Sequence, residues 1–213
     1  LEGDLAVSYE EAGAVIIPFG LEASVSYGGG TENGPAAMIA ASHEVELFDE
    51  ELWCEPIGRY GLVTAREPVI DNSDIEAALK VLEAMTTAVL GDGKFPFVFG
   101  GEHSITPGAI RPFLKKYDDL IILHFDAHAD TGEDQFGALI GHGTPMRRLI
   151  ESGSVRGDRF LQLGLRGYWP DDATLKWMAG KGMKSYEMTE IHHRGMKAVL
   201  DESFAILTDG CDG

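Results

Sequence analysis

The sequence predicts an α/β protein in which a mainly parallel β-sheet lies between two layers of helices, a three-layer α/β/α arrangement. Short apolar runs of strand length alternate with segments whose apolar residues recur at helical spacing, and this alternation is typical of a parallel sheet. Residues 120–123 are apolar at every position, as expected for a strand buried on both faces. The chain contains no internal repeat, low-complexity run or linker, which predicts one domain over residues 1–213.

In the first half of the chain, each element follows from a local signal. The apolar run at residues 14–18 predicts the first buried strand, and a helix at residues 35–42 begins with a proline, which the first turn of a helix accepts. Ser73 and Glu76 form a capping box ahead of apolar residues at helical spacing, which predicts a helix over residues 75–90. A further strand is predicted at residues 97–100, and a further helix at residues 106–117.

The second half of the chain alternates in the same way. Apolar runs predict strands at residues 120–124 and 160–165, and another strand that begins at residues 205–207. Helical spacing predicts three helices, at residues 144–152, 171–181 and 190–200, and Gly182 marks the end of the second of these.

Composition and charge exclude several classes of function. The formal net charge is −18, which would repel a phosphate backbone, so no nucleic-acid partner is expected; the charge serves solubility or attracts a cationic substrate. No apolar run reaches the length of a membrane span, and residues 1–11 are acidic and unlike a signal peptide. Cys54 and Cys211 fit neither a disulfide nor a metal pattern, so a cytoplasmic protein is expected.

The most informative segment is residues 126–130, which directly follow a predicted strand. Alternate side chains of an extended chain point the same way, so Asp126, His128 and Asp130 are expected to converge. Two carboxylates around an imidazole suit a divalent cation that takes oxygen and nitrogen ligands. The other interpretation is a solvated loop at the end of a strand.

Two further histidines lie in glycine-rich turns. His103 follows the predicted strand at residues 97–100, and because ligands of open α/β sheets bind outside the carboxyl ends of the strands, it is expected to share one rim with residues 126–130. His142 lies between Gly141 and Gly143 ahead of a helix, where it can reach a substrate without crowding; the alternative is a turn whose histidine is incidental. The remaining histidines are interpreted as surface or packing residues: His43, His124, His192 and His193.

Taken together, these segments resemble the signature motifs of the ureohydrolase family of arginases and agmatinases, in the family's order. Residues 100–104 match its first metal motif, residues 126–130 match its second, and residues 141–145 look like its H-G-T-P loop. Residues 27–35 resemble the N-terminal loop of agmatinase-like members, and residues 162–167 resemble the strand and turn ahead of the substrate rim. The resemblance covers nearly the whole chain and implies an arginase-like fold.

The resemblance also implies a ligand set and a mechanism. His103, Asp126 and Asp130 would bind one metal ion, His128 the other, and Asp126 would bridge the two. The family normally uses manganese, so two Mn²⁺ are expected, with a bridging hydroxide that attacks the guanidinium carbon. His142 looks like the family's proton-shuttling histidine, and the family's usual assembly is a homotrimer or homohexamer.

The expected substrate is a small guanidino compound, first of all agmatine, which would give putrescine and urea. Guanidinobutyrate, another guanidino acid, arginine and formiminoglutamate remain alternatives, because substrate choice depends on rim loops. Tyr168-Trp169-Pro170 forms either an aromatic wall over an alkyl chain or a packed turn. A mononuclear zinc deacetylase of related architecture suits the second motif but not the G-G-E-H-S element.

The chain departs from the family in one place. A third metal motif, S-x-D-x-D-x-x-D-P, is absent from residues 1–213, which end in I-L-T-D-G-C-D-G. Asp209 and Asp212 could be a degenerate form of it, although their spacing does not match the alternate spacing of a strand. The favoured expectation is a chain whose C-terminal part is missing; a non-catalytic member or fragment of the family is the alternative.

Overall fold

The computed structural model describes residues 7–118, 120–167 and 170–209. The chain divides into two compact units, Leu1–Phe113 and Leu114–Gly213. Within the described residues, each unit contains one three-stranded sheet, and all pairings between the named strands are parallel. The predicted α/β class with parallel strands is therefore confirmed, while a single domain over residues 1–213 stays a prediction.

In the first unit, the central strand β1 (Ala14–Phe19) lies between β2 (Leu62–Thr64) and β3 (Phe95–Gly100). The apolar side chains of β1 pack against helix α3 (Ile75–Gly91), through Ala78, Leu82 and Val89. Burial of these apolar faces is the main force that holds the helix on the sheet. The other helices that begin in this unit are α1 (Gly34–Ala41), α2 (Ile57–Tyr60) and α4 (Thr106–Lys116).

The start of α3 differs from the predicted capping box. The N-cap is Asp74, whose carboxylate accepts the backbone N–H of Ala77 at 2.9 Å. The Ser73 hydroxyl instead donates to the carboxylate of Asp71. The sequence therefore located the helix but placed its cap one residue too early, because Ser and Asp are both good caps and stand next to each other.

In the second unit, strand β5 (Phe160–Leu165) lies between β4 (Ile122–Phe125) and β6 (Lys184–Glu187). Every residue of β5 is buried, as expected for a central strand covered on both faces. Apolar residues of β5 pack with Tyr186, Ile191 and Val199 in one cluster. The helices of this unit are α5 (Pro145–Glu151), α6 (Asp172–Gly180), α7 (Met188–Arg194) and α8 (Met196–Thr208).

Two predicted elements near the end of the chain are wrong. The predicted helix at residues 190–200 is two helices, because Gly195 takes a φ of +84° between α7 and α8. The predicted strand at residues 205–207 lies within α8. Val199, Leu200 and Ile206 recur at helical spacing and pack on the cluster of the second unit, so burial of one helical face overrides the local preference for a strand.

Among the described residues, no helix has both the length and the apolar character needed to cross a bilayer. Tyr168 and Trp169 lie outside the described residues, as do Cys211 and Asp212. Their predicted roles stay predictions.

Candidate metal centre

The carboxyl end of β4 leads directly into the segment at residues 126–130, which remains attached to β5 beyond the end of the strand. The backbone N–H of Asp126 donates to the carbonyl of Leu163 at 3.1 Å, and the N–H of Arg166 donates to the carbonyl of Ala127 at 2.9 Å. Between these two bonds, Gly164 takes a φ of +107°, where the register of β5 against β6 shifts. The irregularity in β5 therefore sets where the backbone of Asp126 lies.

Asp126 is the centre of a cluster of polar side chains in the second unit. Its Oδ1 accepts the backbone N–H of His128 at 2.8 Å and lies 3.7 Å from His128 Nδ1. Its Oδ2 lies 3.2 Å from Nε2 of His124. Bonds of about 2.0–2.2 Å from one divalent ion can span the gap between the Asp126 and His128 atoms. The structure therefore brings these two predicted ligands together, with His128 on the solvent side, since its side chain is 62% exposed.

The backbone around Asp130 does not follow the predicted alternation. Strand β4 ends at Phe125, and Asp130 has a left-handed φ of +49°, so the alternation of an extended chain does not continue through residue 130. Aspartate tolerates this conformation better than most residues. Asp130 is buried, and its carbonyl accepts the N–H of Met146 at the start of α5. The extended-chain reasoning is wrong here, and the role of Asp130 as a ligand stays a prediction.

The loop that carries His142 is held by a residue that the sequence did not single out. The amide nitrogen of Gln135 lies 2.7 Å from Nδ1 and 3.0 Å from Nε2 of His142, while its amide oxygen accepts the N–H of Gly143 at 2.7 Å. A Cβ on Gly141 would lie 2.7 Å from that same oxygen, so any side chain there would displace the amide of Gln135. His142 is half-buried, and Gln135 holds its ring in place from one side.

His103 belongs to the first unit, in a single helical turn that follows β3. The preceding residue, Glu102, is buried and accepts hydrogen bonds from the backbone N–H groups of Ala23 and Ser24, and from the hydroxyls of Ser24 and Ser104. Burial raises the pKa of Glu102, but these hydrogen bonds outweigh it and hold the pKa below its usual value. The carboxylate fixes the turn that presents His103 at the carboxyl end of β3, where the sequence predicted it.

The interpretation of His124 as a surface or packing histidine is incomplete. His124 is only 7% exposed, and besides packing edge-on against Phe160 it contacts Gln162 and the carboxylate of Asp126. The available signal was a polar residue inside an otherwise apolar strand, two positions before a predicted ligand. The other three histidines of this group are exposed, as predicted: His43, His192 and His193.

Comparisons with known proteins agree with the motifs. The profile of the Arginase family matches residues 12–213. A guanidinobutyrase from Pseudomonas aeruginosa is 28% identical over 89% of the chain and 59% of its own length. An N(1)-aminopropylagmatine ureohydrolase from Synechocystis sp. is 35% identical over 72% of the chain and 52% of its own length. The chain thus spans between half and two thirds of the length of these relatives.

A solved structure shows the same fold. The crystal structure of Trypanosoma cruzi formiminoglutamase with Mn²⁺ superposes with a TM-score of 0.85 at 25% identity, covering 95% of this chain and 69% of that one. Agreement of this quality over nearly the whole chain confirms the predicted fold class.

Proposed function

The chain belongs to the arginase family, and from that premise we propose that the protein is a metal-dependent hydrolase that cleaves a guanidino C–N bond and releases urea and an amine. The observation that carries the proposal is the pair of Asp126 and His128 at the carboxyl end of β4, with ligand atoms 3.7 Å apart. The carboxyl ends of parallel strands are where α/β proteins bind their ligands.

The donor set fits divalent ions, and manganese in particular. We propose that His103, Asp126, His128 and Asp130 would together hold two Mn²⁺ ions. All these groups offer carboxylate oxygen or imidazole nitrogen, which suit Mn²⁺, and the trypanosomal formiminoglutamase holds Mn²⁺. When bound, the ions supply activation of water, the nucleophile that the hydrolysis needs.

The side chains of the protein carry out the rest of the reaction. Water adds to the guanidinium carbon, the bond from that carbon to the alkyl-substituted nitrogen breaks, and this nitrogen leaves as an amine after it gains a proton. We assign delivery of that proton to His142, whose ring is held by Gln135 at 2.7 and 3.0 Å.

Agmatine is the proposed substrate. The Synechocystis relative is named for N(1)-aminopropylagmatine, which carries the same guanidinobutyl group, and this supports a guanidinoalkyl amine. The Pseudomonas relative is named a guanidinobutyrase, which supports the corresponding acid as the second candidate. The net charge of −18 favours the amine, because the acid carries a carboxylate that the protein would repel.

The experiment is urea release with a panel of guanidino compounds. The protein is stripped of metal by chelation and dialysis, reloaded with Mn²⁺, and assayed for urea with agmatine, N(1)-aminopropylagmatine, guanidinobutyrate and arginine. Formiminoglutamate has no guanidino group, so its hydrolysis is followed by formamide release instead. Turnover should require Mn²⁺ and be fastest with agmatine. A preference for another compound contradicts the substrate alone, whereas full turnover by the metal-free protein contradicts the reaction class.

Substitutions in the proposed ligands test the site itself. Asp126→Asn and His128→Asn should each lower kcat by more than about 100-fold, because loss of even an outer-shell partner typically costs about 10–100-fold. The matched control is His193→Asn, which changes an exposed histidine on α7 and should leave turnover unchanged. Near-normal activity of His128→Asn with Mn²⁺ would rule out its role as a ligand.

We also propose that the protein assembles as a homotrimer or homohexamer. The proposal rests on the resemblance to the family alone, and both assemblies are closed and symmetric, as most soluble homo-oligomers are. Light scattering coupled to size-exclusion chromatography tests it, and a monodisperse monomer at micromolar concentration would contradict it.

A further inference from the structure

Three polar residues occupy one row across the buried sheet of the second unit. The strand register pairs His124 of β4 with Gln162 of β5, and Gln162 with Ser185 of β6. Gln162 is fully buried and His124 nearly so. Polar groups buried inside a sheet are costly unless they are hydrogen-bonded, so a row of them that ends on Asp126 calls for an explanation.

We propose that Gln162 and His124 form a positioning pair that fixes the carboxylate of Asp126 for metal binding. The inference rests on the proposed function and assigns it two further residues, which act through Asp126. Two hydrogen bonds make up the pair, one from Gln162 to His124 and one from His124 to Asp126, and the direction of each is fixed by which atoms can donate and which can only accept.

The orientation of the Gln162 amide is settled by its neighbours. One atom of the amide lies 2.7 Å from the carbonyl oxygen of Ala129. A carbonyl only accepts hydrogen bonds, so this atom is the amide nitrogen. The amide oxygen then faces the hydroxyl of Ser185, which donates to it at 3.4 Å. The side chain of Gln162 therefore has one possible orientation.

This orientation determines which nitrogen of His124 carries the proton. The amide nitrogen of Gln162 also lies 3.0 Å from Nδ1 of His124. Because that nitrogen is a donor, Nδ1 must accept and carries no proton. The proton of the neutral ring is then on Nε2, which lies 3.2 Å from Oδ2 of Asp126 and donates to it. The edge-on contact with Phe160 helps to hold the ring in this plane.

As a consequence, both carboxylate oxygens of Asp126 accept hydrogen bonds from residues of the second unit. Oδ2 accepts from His124, and Oδ1 accepts the backbone N–H of His128 at 2.8 Å. Each carboxylate oxygen has two acceptor sites, so a single hydrogen bond of this kind does not prevent that oxygen from also binding a metal ion. A carboxylate held in this way does not have to reorient when the ion binds, and outer partners of this kind strengthen metal affinity.

The first test reads the tautomer of His124 without metal. Histidine labelled with ¹⁵N in the metal-free 213-residue chain is examined by long-range ¹H–¹⁵N NMR, and the His124 signals are assigned from their loss in His124→Gln. The expected signature is an unprotonated Nδ1 and a protonated Nε2, which becomes a mixture of tautomers in Gln162→Leu. A protonated Nδ1 in the unaltered chain would overturn the inference.

The second test measures Mn²⁺ affinity by counting free Mn²⁺ with electron paramagnetic resonance. His124→Phe and Gln162→Leu should each bind Mn²⁺ about 10–100-fold more weakly, the usual effect of losing an outer partner. His124→Gln, whose amide can still donate to Asp126, should recover most of the affinity, which a merely structural role would not predict. His193→Phe is the matched control on an exposed position.

The outcomes separate the two proposals. An unaltered chain that binds no Mn²⁺ contradicts the proposal that the ligands within residues 1–213 suffice for binding, while the tautomer test still decides the pair. Equal Mn²⁺ affinity in the unaltered chain, His124→Phe and Gln162→Leu overturns the positioning role alone. A weakened affinity that His124→Gln does not recover also overturns it, because the loss would then follow from disturbed packing.

Discussion

Replacing Gly164 by alanine should destabilise the second unit and disturb Asp126. Gly164 has a φ of +107°, a region that residues with a side chain rarely adopt. A Cβ at this position would lie 3.0 Å from the carbonyl oxygen of Asp126, closer than an ordinary van der Waals contact. The backbone N–H of Asp126 donates to the carbonyl of Leu163, the residue that precedes Gly164. The segment that carries Asp126 therefore has little freedom to move away from the added Cβ.

The size of the effect follows from two opposing contributions. A residue with a side chain in so unfavourable a backbone region costs about 1–3 kcal/mol. Alanine also restricts the unfolded chain, which offsets about 0.4–1 kcal/mol. The free energy of unfolding should therefore fall by about 1.3 kcal/mol at the midpoints of these two ranges. The affinity for Mn²⁺ should fall as well, because relief of the contact displaces Asp126.

Urea unfolding followed by far-ultraviolet circular dichroism measures the first effect, and the Mn²⁺ titration described above measures the second. Gly180→Ala is the matched control, because Gly180 lies at the end of α6. Apart from its chain neighbours and the nearby backbone of its own helix, no atom of the described chain lies within 4 Å of a Cβ placed there. This control should be neutral or slightly stabilising. If Gly164→Ala unfolds at the same urea concentration as Gly180→Ala, the reasoning about backbone strain is wrong.

Two further predictions concern stability. Asp74→Ala should lower the free energy of unfolding by about 1 kcal/mol, because the hydrogen bond from the N–H of Ala77 to its carboxylate is lost. Ser73→Ala should change the free energy of unfolding by less than about 0.5 kcal/mol. A larger loss for Ser73→Ala than for Asp74→Ala in urea unfolding would show that Ser73 caps the helix after all. Hydrogen bonds from Arg194 lower the pKa of Glu202 from 4.5 to about 2. The hydrogen bonds of the ionised Glu202 carboxylate therefore stabilise the fold fully above about pH 4.5, and this stabilisation is lost as the pH falls towards 2. Glu202→Gln should flatten the pH dependence of unfolding in that window, and parallel profiles for both proteins would contradict this.

The parts of the fold that the sequence predicted are those whose signal is local. The first and last residues of strand β5 were both predicted correctly, because every residue of the strand is buried and most of them are apolar. Strand β6 was missed because its four residues, K-S-Y-E, include a single buried side chain, Tyr186. What makes it a strand is its parallel pairing with β5, a contact that lies outside its own sequence.

The candidate site shows the same division between local and distant contacts. Asp126 and His128 were predicted together because they are two residues apart, and the structure confirms their proximity. The prediction for Asp130 relied on an extended backbone, which a left-handed φ rules out. Gln135 was missed because its contact with His142 forms only once the loop between them has folded back on itself.

The contact between His124 and Gln162 spans 38 residues, yet the sequence contained a usable signal for it. Each residue is a polar side chain near the middle of an otherwise apolar strand. A buried polar group without a partner costs about 1–3 kcal/mol, so each of these strands needs a polar neighbour on the next one. In a parallel sheet, paired residues lie side by side on the same face, and one polar position in each strand leaves a single register that satisfies both. The same pairing that completes the sheet therefore places a hydrogen-bonded histidine behind Asp126, so the packing of the core and the orientation of the proposed ligand have one physical cause.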